Sequence, residues 1–406
     1  METVSSLLGS ISDVGRDGVR GGYSRPVFST PELDLRNWFQ EQAGRRGLDV
    51  ETDRNGILWA WWDVDGRHDD DSRRGALVTG SHLDSVPGGG AFDGPLGVAS
   101  ALAAVDILKE RGIQPQRALA VAVFPEEEGS RFGVACLGSR LLTGAIDADT
   151  ARNLKDPNGT TFAEAARANG LDPEHLGRDG AALARIGDFI ELHVEQGRGL
   201  IDLDAPIGVG SSIIGHGRWK LTITGQGNHA GTTLMEDRAD PMVAAAQVIL
   251  AIRKTAAAAP DARATVGRVQ PIPGGTNVIA SRVEMWIDVR HPDDATTASL
   301  VEAVHGKAQK AAAFEGCTAT LAQESLSGTV NFDTELQRQL SAAVPGAPAL
   351  PTGAGHDAGI LAGHVPSGML YVRNPTGISH SPEEHVEDDD ANLGATALAD
   401  ALERLL

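Results

Sequence analysis

The sequence has little cysteine, little basic charge and no long apolar run, and each shortage excludes a class of protein. Two cysteines in 406 residues, Cys136 and Cys317, stand far apart. They build neither a disulfide framework nor a thiolate zinc site, and each reads as a small buried hydrophobe suited to a reducing cytoplasm. Lys and Arg number 35 against 55 Asp and Glu, a formal net charge of −20. That balance disfavours nucleic acid and anionic membrane surfaces as partners. No stretch reaches the ~18 consecutive apolar residues of a membrane-spanning helix. The start, Met1-Glu2-Thr3-Val4-Ser5, lacks the basic and apolar regions of a signal peptide. Nor is there a Gly-x-Gly-x-x-Gly phosphate loop: Gly208-Val209-Gly210 runs into Ser211-Ser212, which argues against a dinucleotide-binding oxidoreductase. The expectation is a cytoplasmic protein that, by its length, has two domains.

Strand-like and helix-like stretches alternate through the first half, the pattern of an α/β sheet. A helix is predicted over Pro31 to Ala43 with Thr30 as N-cap, and paired strands over Val50 to Asp53 and Ile57 to Trp62 across Asn55-Gly56. Asp69 to Asp71 reads as a solvated turn. Strands follow at Ala76 to Thr79, Ala118 to Phe124 and Phe189 to Val194, with a helix from Leu96 to Glu110. Beyond Gly210 the order becomes strand, helix, strand, strand, helix, strand. Its members are Arg218 to Thr224, Ala239 to Thr255, Ala264 to Gln270, Val278 to Val289, Ala295 to Phe314 and Thr318 to Ala322. This is the split βαβ arrangement of a compact α+β domain. A strand at Met369 to Val372 and a helix from Ala391 to Leu405 return the chain to α/β character. The domains are read as 1–211 with 327–406, interrupted by 212–326.

Chemistry-bearing residues gather where predicted strands end, which is where α/β sheets bind ligands. In Gly80-Ser81-His82-Leu83-Asp84 the His and Asp share a face, so Asp84 is placed to orient the imidazole. In Gly88-Gly89-Gly90-Ala91-Phe92-Asp93-Gly94-Pro95-Leu96-Gly97, five glycines clear bulk around one acid. An ordinary Asp N-cap is the bland alternative. A phosphate cradle is disfavoured, since no Lys follows and the acid would repel phosphate. In Phe124-Pro125-Glu126-Glu127-Glu128-Gly129 three carboxylates adjoin, and they repel one another unless a cation sits among them. His193 and His380 complete the candidates. Singly each is as readily structural. Together, two carboxylates and three histidines suit a pair of borderline divalent ions, with a spare glutamate to take a proton from water.

On these segments, and on Asn228-His229-Ala230-Gly231-Thr232-Thr233 and Gly353 to Ala358, the chain resembles the M20 metallo-amidohydrolases. It is most similar to the branch holding allantoate amidohydrolases, N-carbamoyl-L-amino acid hydrolases and β-ureidopropionases. The resemblance implies an α/β di-metal catalytic domain with an inserted α+β (βαββαβ) lid and dimerisation domain. It implies His82, Asp93, Glu128, His193 and His380 as ligands of two divalent ions, zinc or manganese with cobalt or nickel as alternatives. Asp93 would bridge them, Glu127 would be the general base, and Glu126 would lie outside the ligand set. His229 would reach a partner subunit's site in a homodimer and stabilise the oxyanion. Asn277 and Arg290 would bind the substrate carboxylate, and Gln196, Gly355 and His356 would add substrate contacts. Arg290 is also readable as a surface ion-pair partner, and Asn277 as a turn residue. The implied reaction removes the terminal ureido or carbamoyl nitrogen of a small carboxylate substrate. Allantoate is preferred over N-carbamoyl-L-amino acids and β-ureidopropionate, and a peptidase or a metal-dependent binder comes after these. Leu234 and Ala280 depart from the family, which usually has proline at both places; the departures bear on substrate preference.

Overall fold

The computed structural model describes residues 2–64 and 66–406. The chain falls into two compact units, Met1–Ser212 with Asn331–Leu406, and Ile213–Val330. In chain order the strands begin with β1 (Asp49–Thr52), β2 (Leu58–Trp62), β3 (Ala76–His82), β4 (Leu119–Phe124), β5 (Ile186–Val194) and β6 (Ile207–Ile213). Next come β7 (Gly215–Thr224), β8 (Asn228–His229), β9 (Arg263–Ile272), β10 (Val278–Ile279), β11 (Arg282–His291) and β12 (Thr318–Ser327). The last are β13 (Val330–Asn331), β14 (Ala349–Thr352) and β15 (Ser367–Val372).

Among the described residues nine strands form the larger sheet, ordered β1-β2-β4-β3-β5-β15-β6-β13, with β14 also on β6. Its centre, β4-β3-β5-β15, is parallel, and β2 and β6 flank it antiparallel. Helices cover a parallel sheet on both faces, so its strands read as unbroken apolar runs; β3, β4 and β15 are buried at every position. Gly80 marks the tightest approach within this centre. A Cβ there would lie 1.9 Å from the carbonyl oxygen of Ala122 on β4. The helix Pro95–Glu110 lies on β3 and β5 and against the closing helix Asp388–Leu405. Its Leu96, Leu102 and Leu108 share a core with Val121, Ile190 and Leu398.

The second unit is an antiparallel sheet ordered β12-β7-β11-β9. Burial alternates along β7 and β11, the signature of a sheet covered on one face. Leu221, Ile223, Val283, Met285 and Ile287 pack there against Val248 and Ile252 of the helix Pro241–Ala257 and Leu300 and Val304 of Asp294–Phe314. Strands and helices follow the split βαβ order.

Three local expectations are corrected. The helix predicted to be capped by Thr30 begins with it, Thr30–Arg45, and Ser29 is the N-cap without a side-chain bond. Glu32 in the first turn instead reaches back and accepts the amide of Phe28, ahead of the helix, at 2.9 Å. The acidic turn at Asp69 to Asp71 is instead the start of a short helix, Asp70–Arg73. Asp69 and Ser72 bond reciprocally across its first turn and so satisfy two amides that would otherwise lack acceptors. The single strand predicted over Val278 to Val289 breaks after Ile279. Val278 and Ile279 leave the sheet to pair with His229 and Asn228, and Ala280 is buried at the break. Among the described residues no helix is long and apolar enough to cross a membrane.

Gly97 seats the helix Pro95–Glu110 on the sheet: a Cβ there would lie 2.3 Å from the Leu192 carbonyl oxygen and 2.8 Å from Ser81 Cβ. Gly97→Ala is therefore expected to destabilise the protein by about 1–3 kcal/mol through overpacking. Urea-unfolding midpoints of the variant and the parent measure this.

Candidate metal centre and active site

Three strand ends, those of β3, β4 and β5, and two loops bring the candidate residues of the first unit together. His82 closes β3, and His193 is next to last in β5. Each imidazole lies with Nδ1 3.0 Å from a main-chain carbonyl, His82 on Asp84 and His193 on Val194. A carbonyl only accepts, so Nδ1 carries a proton, and in the neutral ring that a cation would bind Nε2 has a free lone pair. Both Nε2 atoms are buried without a hydrogen-bond partner, and both lie 3.3 Å from Asp93 Oδ1.

The other oxygen of Asp93 faces a second set of donors. Oδ2 is 3.5 Å from His380 Nε2, and His380 Nε2 is 3.3 Å from Glu128 Oε2. Two donor groups result, His82-Asp93-His193 and Asp93-Glu128-His380, each with its donor atoms within 4.8 Å of one another. The shared residue is Asp93. A third grouping, Glu191-His193-His356, reuses His193, whose ring nitrogens already face Val194 and Asp93. A fourth, at Asp49, Asp63 and His68, is filled by the Arg73 guanidinium, 2.5 Å from Asp49 and 2.8 Å from Asp63.

The loop after β4 separates three adjacent glutamates by giving each a different partner. Glu126 adopts the left-handed conformation, φ 55°, and its carboxylate accepts the amides of Arg131 and Phe132 at 3.0 and 2.6 Å. Glu127 is buried, with Oε2 3.6 Å from His82 Nε2, and Glu128 joins His380. Asp84 has a different task from the expected one. The His82 imidazole rests on the main-chain carbonyl of Asp84, while the Asp84 carboxylate accepts the amides of Glu127 and Glu128, both at 3.1 Å. The reason is reach: the strand ends at His82, and the nearer acceptor for Nδ1 is the carbonyl at 3.0 Å rather than the carboxylate at 3.6 Å.

Charge in this region is one-sided. Burial pushes the Glu127 carboxyl well above the usual range. It moves Asp84 to about 7 and, with Glu191 beside it, Asp357 to about 8. Burial alone would lower His82, but the carboxylates of Glu127, Asp93 and Asp84 override it and raise the imidazole. The hydrogen bond to Glu128 lifts His380 to about 9. Carboxylates this crowded need cations, and unpartnered imidazole nitrogens and carboxylate oxygens are the donor types borderline divalent ions take. The residues present fit two such ions.

Among the remaining expected residues, Gln196 donates to Asp93 Oδ2 at 2.8 Å and to Ser379 Oγ at 3.1 Å. His356 is buried with Nδ1 unpartnered and its ring 4.5 Å from that of His193; Gly355 beside it is exposed. His229, Asn277 and Arg290 belong to the second unit. There His229 Nδ1 accepts the Gly231 amide at 3.1 Å, and the Asn277 carbonyl accepts the Ala230 amide at 3.0 Å. Arg290 grips Asp288 with Nε and Nη2 at 2.7 and 3.0 Å. Three buried acids near the donors escaped the sequence reading: Glu191, Asp357 and Glu384. Glu384 alone left a signal, an acid four residues past His380.

Fold and donors together define a class: an α/β domain with candidate metal donors at the carboxyl ends of its strands, interrupted by an α+β domain, and with two donor groups that share one carboxylate. Residues 78–404 match peptidase family M20/M25/M40, and the chain belongs to that family. It is 34% identical to an N-carbamoyl-L-amino acid amidohydrolase of Geobacillus stearothermophilus, over 98% of this chain and 96% of that protein. It is 31% identical to the allantoate amidohydrolase of Escherichia coli, again over 98% and 96%. The crystal structure of a hydantoinase/carbamoylase family amidase from Burkholderia multivorans superposes with a TM-score of 0.84 at 31% identity, covering 98% of this chain and 96% of that one.

Replacing Asp84 by Ala leaves the buried amide of Glu127 and the part-buried amide of Glu128 without an acceptor. The metal-free protein is expected to lose about 2–4 kcal/mol of stability, and Asp84→Asn, which keeps one acceptor oxygen, less. Denaturant titration of both variants checks the order.

Proposed function

We propose that this chain is a two-metal amidohydrolase that cleaves the terminal carbamoyl C–N bond of a small carboxylate substrate, with allantoate as that substrate. The observation that carries the reading is the division of Asp93: one oxygen faces two buried, unpartnered imidazole nitrogens and the other faces His380. His82, Asp93 and His193 would hold one ion, and Asp93, Glu128 and His380 the other, zinc or manganese by the donor types. When bound, such a pair lowers the pKa of a water and polarises a carbonyl.

Glu127 is the residue that moves protons. It is buried beside the donors, its Oε2 is 3.6 Å from His82 Nε2, and its carboxyl is pushed upward by burial, as suits a base working near neutrality. It takes a proton from the attacking water, whose oxygen bonds to the carbamoyl carbon, and returns that proton to the departing nitrogen. Ammonia leaves, and the carbamate that remains decomposes to carbon dioxide and the amine.

In a homodimer, His229 of the partner subunit would donate to the developing oxyanion, a contact worth a few kcal/mol. Asn277 and Arg290 would take the substrate carboxylate, Arg290 by exchanging its fork on Asp288 for a substrate fork. Gln196, Gly355 and His356 would line the rest. The two buried free cysteines support a cytoplasmic setting. A second reading, an N-carbamoyl-L-amino acid hydrolase, is favoured by the 34% identity to the Geobacillus stearothermophilus enzyme.

Stripping divalent ions is expected to abolish ammonia release and lower the melting temperature, and manganese or zinc to restore both. With allantoate, N-carbamoyl-L-amino acids, β-ureidopropionate and dipeptides offered in parallel, turnover of allantoate supports the first reading. Turnover of carbamoyl amino acids alone moves the protein to the second, and no ammonia from any ureido compound overturns both. Glu127→Gln should keep its ion content, read by elemental analysis, while activity falls by about 10²–10⁴-fold.

A further inference from the structure

Glu384 is 4% exposed and belongs to neither donor group, yet it touches both segments that build the second one. Its Oε1 accepts the amides of Phe92 and Asp93, each at 3.0 Å. Its Oε2 lies 3.3 Å from the hydroxyl of Ser379, the residue before His380. That hydroxyl also lies 3.4 Å from Asp93 Oδ2, which already accepts from Gln196 at 2.8 Å. The Ser379 hydroxyl thus stands between Asp93 and Glu384, and with Gln196 donating to it at 3.1 Å it joins Gln196, Ser379 and Glu384 in one hydrogen-bonded set. Space for the carboxylate comes from Gly90, where a Cβ would sit 2.1 Å from Glu384 Oε1. The glycine run before Asp93 thus admits a side chain from almost 300 residues away.

We infer that Glu384 is a positioning residue that holds the second cation site together by clamping the Asp93 loop to the His380 loop. The inference rests on the two-ion reading above. The two sites differ in how much they need such a clamp. His82 and His193 are buried at strand positions, 0% and 1% exposed, with Nδ1 anchored on main chain. The His380 side chain is 51% exposed and its backbone is left-handed, φ 56°, so its placement depends on what fixes its loop. Outer partners of metal ligands typically change affinity by about 10–100-fold when removed, and here the loss falls on the less anchored site.

The test compares the full chain with Glu384→Ala and Glu384→Gln, each stripped and titrated with Mn²⁺. Ion content is read after dialysis at graded free Mn²⁺, and spin coupling between ions by electron paramagnetic resonance. His380→Ala supplies the single-ion spectrum. The parent should take two ions and show coupling. In Glu384→Ala the weaker ion should bind about 10–100-fold less tightly, while the tighter ion shifts by under about threefold. Glu384→Gln, which keeps the Oε1 acceptor, should recover most of the loss. Two unchanged affinities in Glu384→Ala overturn the inference, as does an equal loss at both sites together with a lowered melting temperature. If Glu384→Ala does not fold, Glu384→Asp carries the same comparison, since it withdraws the carboxylate by one methylene. A parent that never binds a second ion sinks the two-ion reading itself.

Discussion

A single carboxylate, that of Asp93, must serve two donor groups from a buried position, and the surrounding structure is arranged to make that tolerable. An acid buried among other acids is unfavourable unless cations or donors compensate it. Here His82, His193, His380 and Gln196 all converge on its two oxygens. The glycines on either side follow from the same requirement. Gly94, with φ 84°, turns the chain directly beneath the His82 ring, where a Cβ would lie 2.6 Å away, and Gly97 lets the following helix rest on β5.

The sheet and the loops divide the work. Parallel strands end in register, so β3, β4 and β5 deliver His82, the glutamate loop and His193 to one edge. Precision beyond that comes from main-chain hydrogen bonding: carbonyls of Asp84 and Val194 fix the imidazoles, and the Asp84 carboxylate fixes the amides of Glu127 and Glu128. Glu127 and Glu128, one residue apart, can then face different partners, because Glu126 in the left-handed region turns the loop between the end of β4 and Glu127. The inserted unit obeys a simpler rule, alternating burial on a sheet covered by two helices.

Much of this was legible from the chain. The buried centre of the large sheet stood out because two-sided burial leaves no polar alternation, and the inserted unit because one-sided burial does. The segments that meet in the structure stood out because adjacent carboxylates and a glycine-flanked acid, taken together with the histidines, suit a cation better than each suits it alone. What escaped were features set by distant partners. Whether Val278 and Ile279 continue the strand depends on pairing with His229 and Asn228, remote in sequence, and nothing local announces that. Which atom of Asp84 meets His82 depends on how the backbone runs past the end of β3, where the carbonyl comes nearer than the carboxylate.

By itself, then, the sequence determined which residue types could meet at the strand ends, since periodicity and side-chain chemistry are local properties. Only the tertiary structure decided how Asp93 is shared, why Asp84 serves the glutamate loop, and that Glu384 reaches the Gly90 gap from the far end of the chain. Those are contacts between residues remote in sequence, fixed by packing in three dimensions, and no local pattern encodes them.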